Sequence, residues 1–106
     1  MTSVTVDNQV VSIQLNNGES TTVPSGEKWE VTITVAIRDG SSNARVYSWC
    51  EINGTRVLSV ELNTNDGEYA GVSSCVAETT LVGGDTISAS GDSSNGGVSI
   101  GGYEVS

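Results

Sequence analysis

From Trp29 to Arg38 the chain switches chemistry at every residue. Trp29, Val31, Ile33, Val35 and Ile37 alternate with Glu30, Thr32, Thr34, Ala36 and Arg38. A period of two puts the first set on one face of an extended strand and the second on the other, the pattern of a half-buried antiparallel strand. A helix would scatter both sets around its axis. The run opens from Pro24-Ser25-Gly26, a turn-forming triplet, and no segment of the chain has a helical period. The fold is therefore expected to be all-β.

Turn signals divide the remainder at the same rhythm. Val4–Val6 and Val10–Leu15 flank Asp7-Asn8 and read as one kinked strand or two. Asn16-Asn17-Gly18 is a tight turn, and Ser20–Val23 leads into the Pro24, Gly26 corner. Lys28–Arg38 is the long strand, Asp39–Asn43 a loop and Ala44–Ile52 the next strand. Asn53-Gly54 is the strongest hairpin signal, because both central residues of a type I′ turn need positive φ. It joins Ala44–Ile52 to Thr55–Leu62. Asn63–Gly67 is a polar loop, Val72–Leu81 a strand and Val82-Gly83-Gly84-Asp85 a turn. Thr86–Ser90 and Gly97–Val105 finish the chain around the Gly91–Gly96 loop. In 106 residues this spacing predicts a single domain over 1–106, an antiparallel β-sandwich, jelly-roll-like, of about eight strands.

Charge is one-sided: 13 Asp plus Glu stand against 4 Lys plus Arg, net −9, and Lys28 is the only lysine. Phosphate neutralisation needs clustered cations, so nucleic acid is excluded as a partner, and an anionic membrane surface would repel the chain. The acidity reads either as ordinary solubility or as adaptation to high salt, where screening removes the repulsion. The scarcity of lysine favours the second. No apolar run is long enough to span a bilayer. Met1–Val6 lacks the basic and apolar regions of a signal peptide, so synthesis in a cytoplasm without ordinary export is expected.

There is no histidine, which removes Ser-His-Asp and Cys-His arrangements and the usual zinc sites. A carboxylate pair for glycoside hydrolysis needs a cleft, and a domain of this size has little room for one. The expectation is a protein that is not an enzyme and carries no cofactor or metal. Asn63–Glu68 resembles a calcium loop, but its glycine comes one position early, and a solvated loop is the better reading. Asn53-Gly54-Thr55 fits a glycosylation sequon that its turn already explains.

Cys50 and Cys75 fall in separate predicted strands. They read as a disulfide tying two strands, preferred for a module exposed outside the cell, or as two buried free thiols. Trp29 shares its face with Val31 and Ile33 and belongs to the core. Tyr47 and Trp49 oppose Val46 and Ile52 on their strand, which makes them candidate oligomer contacts. Ala44–Ile52 and Val72–Leu81 carry apolar residues on both faces. Since a sandwich buries one face of each sheet, another chain is expected to cover the surplus.

The Val-Pro-Ser-Gly-Glu-Lys-Trp-Glu-Val-Thr-Ile strand (Val23–Ile33) resembles small β-sandwich proteins of tailed viruses of bacteria and archaea. So do the Leu-Val-Gly-Gly-Asp-Thr-Ile turn (Leu81–Ile87) and the closing Ile-Gly-Gly-Tyr-Glu-Val strand (Ile100–Val105). Such proteins decorate capsids, form turrets or fibres, or sit at tail tips. The resemblance implies a jelly-roll-like module, usually trimeric, with no catalytic residues. Pro24, Gly26, Gly83, Gly84, Gly101 and Gly102 match as backbone-shaping positions. It further implies a virion protein, a head-decoration or turret subunit with itself and the major capsid protein as partners, and the acidic balance then fits a virus of halophilic archaea. The alternative is a tail or fibre module that binds host glycan through Asp39–Asn43, Asn63–Gly67 and Gly91–Gly96. A glycan site needs an exposed aromatic, and Tyr47, Trp49, Tyr69 and Tyr103 are the residues able to supply it.

Overall fold

The computed structural model describes residues 9–39, 45–63, 71–92 and 96–105. The strand expected over Val4–Val6, the calcium-like loop, Tyr69 and most of the three loops assigned to glycan lie outside these residues. Eight strands follow in order: β1 (Val10–Asn16), β2 (Ser20–Thr22), β3 (Lys28–Asp39), β4 (Arg45–Ile52), β5 (Thr55–Asn63), β6 (Gly71–Val82), β7 (Thr86–Gly91) and β8 (Gly97–Val105). They form two four-stranded antiparallel sheets, ordered β1-β8-β3-β6 and β2-β7-β4-β5. This is a β-sandwich with the strand order of a jelly roll.

The topology has a simple origin. Ile52 lies opposite Thr55, Ser48 opposite Val60, Asp39 opposite Gly71, Thr22 opposite Thr86 and Asn16 opposite Gly97. Every such pair is nearly symmetric about Asn53-Gly54, so the chain is one long hairpin rolled up on itself. Asn53 (φ 52°) and Gly54 (φ 82°) supply the two positive φ values of that central turn, as a type I′ turn requires. Only the β4–β5 connection stays within a sheet. The others pass between sheets, and the β3·β8 and β4·β7 pairs then close each sheet.

Alternation places the core between the sheets. From one sheet come Val11, Leu15, Trp29, Val31, Ile33, Val35, Ile37, Leu81, Val98 and Ile100; from the other Cys50, Val60, Leu62, Ile87 and Ala89, all buried. Trp29 is in this core, and its Nε1–H donates to Glu27 Oε1 at 2.9 Å, which satisfies its only polar atom. The buried hydroxyl of Ser48 donates to Asn17 Oδ1 (3.1 Å) and also approaches Ser90 O (3.4 Å). No buried side-chain N or O among the described residues lacks a partner, as buried polar groups require.

Two turns lock together at one end. Glu27 N donates to Pro24 O across the Pro24–Glu27 turn, Gly83 N to Glu27 O and Gly84 N to Val23 O. Gly83 lies so close to this corner that a Cβ there would stand 2.8 Å from both Gly26 N and Pro24 O. Glycine is required at that position by the approach of another backbone. Asp85 joins this end to the central turn: it accepts from Val82 N (2.8 Å) and from Asn53 Nδ2 (2.9 Å), while Asn53 Oδ1 accepts from Thr86 N.

Of the two readings open for the cysteines, the structure has the second: Cys50 and Cys75 are free thiols, on strands of opposite sheets and packed between them. Each sulfur faces its own carbonyl, Cys50 that of Glu51 and Cys75 that of Ser59. Burial in apolar surroundings, with Glu51 and Cys75 nearby, pushes the Cys50 thiol up to about 11, so it behaves as a small hydrophobe rather than a nucleophile.

Candidate functional site

The sandwich buries one face of each sheet and leaves the other to solvent, so any site on the sheets is built from the second residue of each alternating pair. On the β1-β8-β3-β6 sheet the register lines these residues up in rows across four strands. One row reads Val10, Tyr103, Glu30, Thr80; the next Ser12, Gly101, Thr32, Glu78; the next Gln14, Ser99, Thr34, Val76. Lys28 ends the face between Val105 and Val82.

Two features distinguish this face. The first is its apolar content. Val10, Val76, Val82 and Tyr103 all project from it, and they are four of the five large hydrophobic residues exposed among the described residues. The second is a gap. Gly101 contributes no side chain to its row, which leaves an open trough of about 440 Å³ walled by Tyr103, Glu30, Glu78, Thr32 and Thr80. Tyr103 is 44% exposed and offers a ring edge and face beside two carboxylates and two hydroxyls.

The margin of the face is a third feature. β6 is a sheet edge twelve residues long. Natural edge strands are kept short or carry proline, lysine or bulges that block pairing with another chain. From Gly71 to Val82 there is no proline and no lysine, and Glu78 is the sole charge. The β3–β6 register is unbroken, so no bulge bends the edge away.

The opposite sheet holds the two aromatics expected at an oligomer contact. Tyr47 and Trp49 lie on the outward face of β4 and are half-buried. The Arg56 guanidinium stacks 4.0 Å from the Trp49 ring centroid, and Trp49 Nε1–H donates to Glu51 Oε2 at 2.9 Å. A β-bulge creates this arrangement: Cys50 opposes Leu58 but Glu51 opposes Arg56. The extra residue, Val57, turns Arg56 from the inward to the outward side. Much of the Trp49 ring is thus covered by its own chain, a contact worth about 0.5–1 kcal/mol at an exposed position.

Among the described residues no group of three or more Cys, Asp or Glu is arranged to hold a metal ion. The residues around the trough carried little signal in the sequence. Glu30 and Thr32 were legible as the polar side of β3, and Gly101 as a backbone-shaping position. That these meet Glu78 and Tyr103 depends on β3 lying between β8 and β6, which no local pattern encodes. No protein-family model matches this chain, and none of the curated proteins compared with it is significantly similar.

Proposed function

We propose that this chain is a non-catalytic structural module of a virion surface, a head-decoration or turret subunit that assembles with copies of itself. The observation that supports it best is β6, a long edge with which no second described strand pairs and that carries exposed Val76 and Val82. An unpaired row of backbone N–H and C=O groups of this length is matched by another extended strand. Two copies of β6 related by a two-fold axis would pair antiparallel and join two sheets into one. The jelly roll is a frequent architecture of viral capsid proteins, and the resemblance in Val23–Ile33 and Ile100–Val105 points the same way. Fold alone is an analogy, so the surface carries the argument. Pairing along β6 favours even-numbered assemblies; the trimer implied by the resemblance would instead set β6 against a different edge of the neighbour.

Mass measurement in solution tests the assembly. Wild type is expected to be oligomeric, and Val76→Lys monomeric with an unchanged fold, since Val76 is 59% exposed and an edge lysine blocks pairing. A wild type that stays strictly monomeric at every concentration and salt level would remove the basis of this reading. Neighbouring genes for capsid and maturation functions would support a head location, and tail genes the second reading.

That second reading, recognition of host glycan, is favoured by one observation: Tyr103 stands beside converging carboxylates and hydroxyls in the trough on the sheet face. On this reading the glycan site is proposed on the sheet rather than in the loops. The two readings use different groups: edge pairing takes the outer backbone N–H and C=O groups of β6, and the trough takes outward side chains of β8, β3 and β6.

A further inference from the structure

We infer that the trough over Gly101 is a binding site for a neutral saccharide. The inference rests on the glycan-recognition reading and is independent of assembly along β6. It begins with a contrast between adjacent glycines. A glycine inside a strand weakens it, and its presence marks a bulge, the close approach of another backbone, or the close approach of a ligand. At Gly102 the reason is structural, because a Cβ would collide with the Glu30 carbonyl and the Val31 Cα of β3. At Gly101 neither structural reason holds. A Cβ there meets nothing within 4 Å, and the registers to β1 and β3 run through it without a bulge. What glycine preserves at that position is the trough itself.

The lining selects the ligand. Glu30 and Glu78 accept hydrogen bonds, Thr32 and Thr80 both donate and accept, and Tyr103 offers an apolar ring surface with a polar tip. A partner that complements this set has several hydroxyl donors, an apolar face and no negative charge. A neutral sugar ring has all three. Anionic glycans, nucleotides and phosphates would meet two carboxylates on a chain of net charge −9. The volume of about 440 Å³ falls in the range of small-ligand sites, and the openness of a sheet face implies weak binding, with Kd in the millimolar range.

The test is a titration of the isotope-labelled full chain, followed by amide NMR, with maltose, lactose and chitobiose as neutral probes. Sialyllactose serves as an anionic probe and a lysine-rich peptide as a cationic one. At least one neutral sugar should shift the amides of Gly101, Gly102, Thr32 and Thr80 saturably. Gly101→Val fills the trough in a conformation that valine favours, so it should keep the wild-type melting temperature while weakening binding roughly tenfold or more. Tyr103→Ala should weaken it similarly. If a sugar binds wild type and Gly101→Val equally well, the trough is not the site, although glycan recognition survives. If no neutral sugar shifts any amide, both the site and the glycan reading fall. Preference for sialyllactose or for the peptide would overturn the assigned ligand class.

Discussion

Asp85 bridges the β6–β7 turn and the central Asn53-Gly54 turn with two hydrogen bonds. Bonds from Val82 N–H and the Asn53 amide hold its carboxyl below the usual value of 3.8. A depressed carboxylate stabilises the fold at pH values above its unfolded pKa. Its contribution is lost as pH falls below 3.8, where the unfolded chain takes up the proton first. Asp85→Asn should therefore lower the melting temperature at neutral pH, and the gap from wild type should close in acid. A gap that stays constant across this range would mean that the carboxylate charge is irrelevant. The same bonds occupy the Asn53 amide, the atom that a glycan would need at the sequon. The two thiols illustrate a limit at this scale: their strand placement admitted a disulfide or two free thiols, and both are free, packed between the two sheets.

At the scale of the elements, the sequence was highly legible. The strands expected at Lys28–Arg38, Thr55–Leu62, Val72–Leu81, Thr86–Ser90 and Gly97–Val105 agree with β3, β5, β6, β7 and β8 to within a residue at each end. Alternation and turn chemistry are local properties, which is why they could be read. Contacts between elements are another matter. Gly83 was readable as a turn residue, but not as the point where the β6–β7 turn docks onto Pro24–Gly26. That docking predicts that Gly83→Ala costs roughly 1–3 kcal/mol through overpacking. Gly101→Ala, with open space at its Cβ, should be neutral or stabilising by up to about 1 kcal/mol. Chemical denaturation of both variants decides the matter, and equal midpoints would show that the two turns do not press on each other.

At the scale of the whole molecule, the eight strands are the two arms of one hairpin wound into a sandwich. Most partners are far apart in sequence, a topology associated with slow folding. The net charge of −9 is spread over a small domain and favours expansion through self-repulsion. Screening acts within about 10 Å at 0.1 M salt and more tightly above it. The melting temperature should therefore rise from dilute to molar sodium chloride, and insensitivity to salt would sink the halophilic reading of the acidity.

By itself the sequence determined the all-β class, the turns, and the inward face of each long strand, because a period of two and the φ demands of Asn53-Gly54 are properties of neighbouring residues. Pairing is not such a property. Which strands lie side by side, that a bulge aims Arg56 at Trp49, and that Gly101 opens a trough beside Tyr103, Glu30 and Glu78 were decided by tertiary structure alone. The physical reason is that alternation specifies a face but not a partner. A partner is selected only when both apolar faces close over one core.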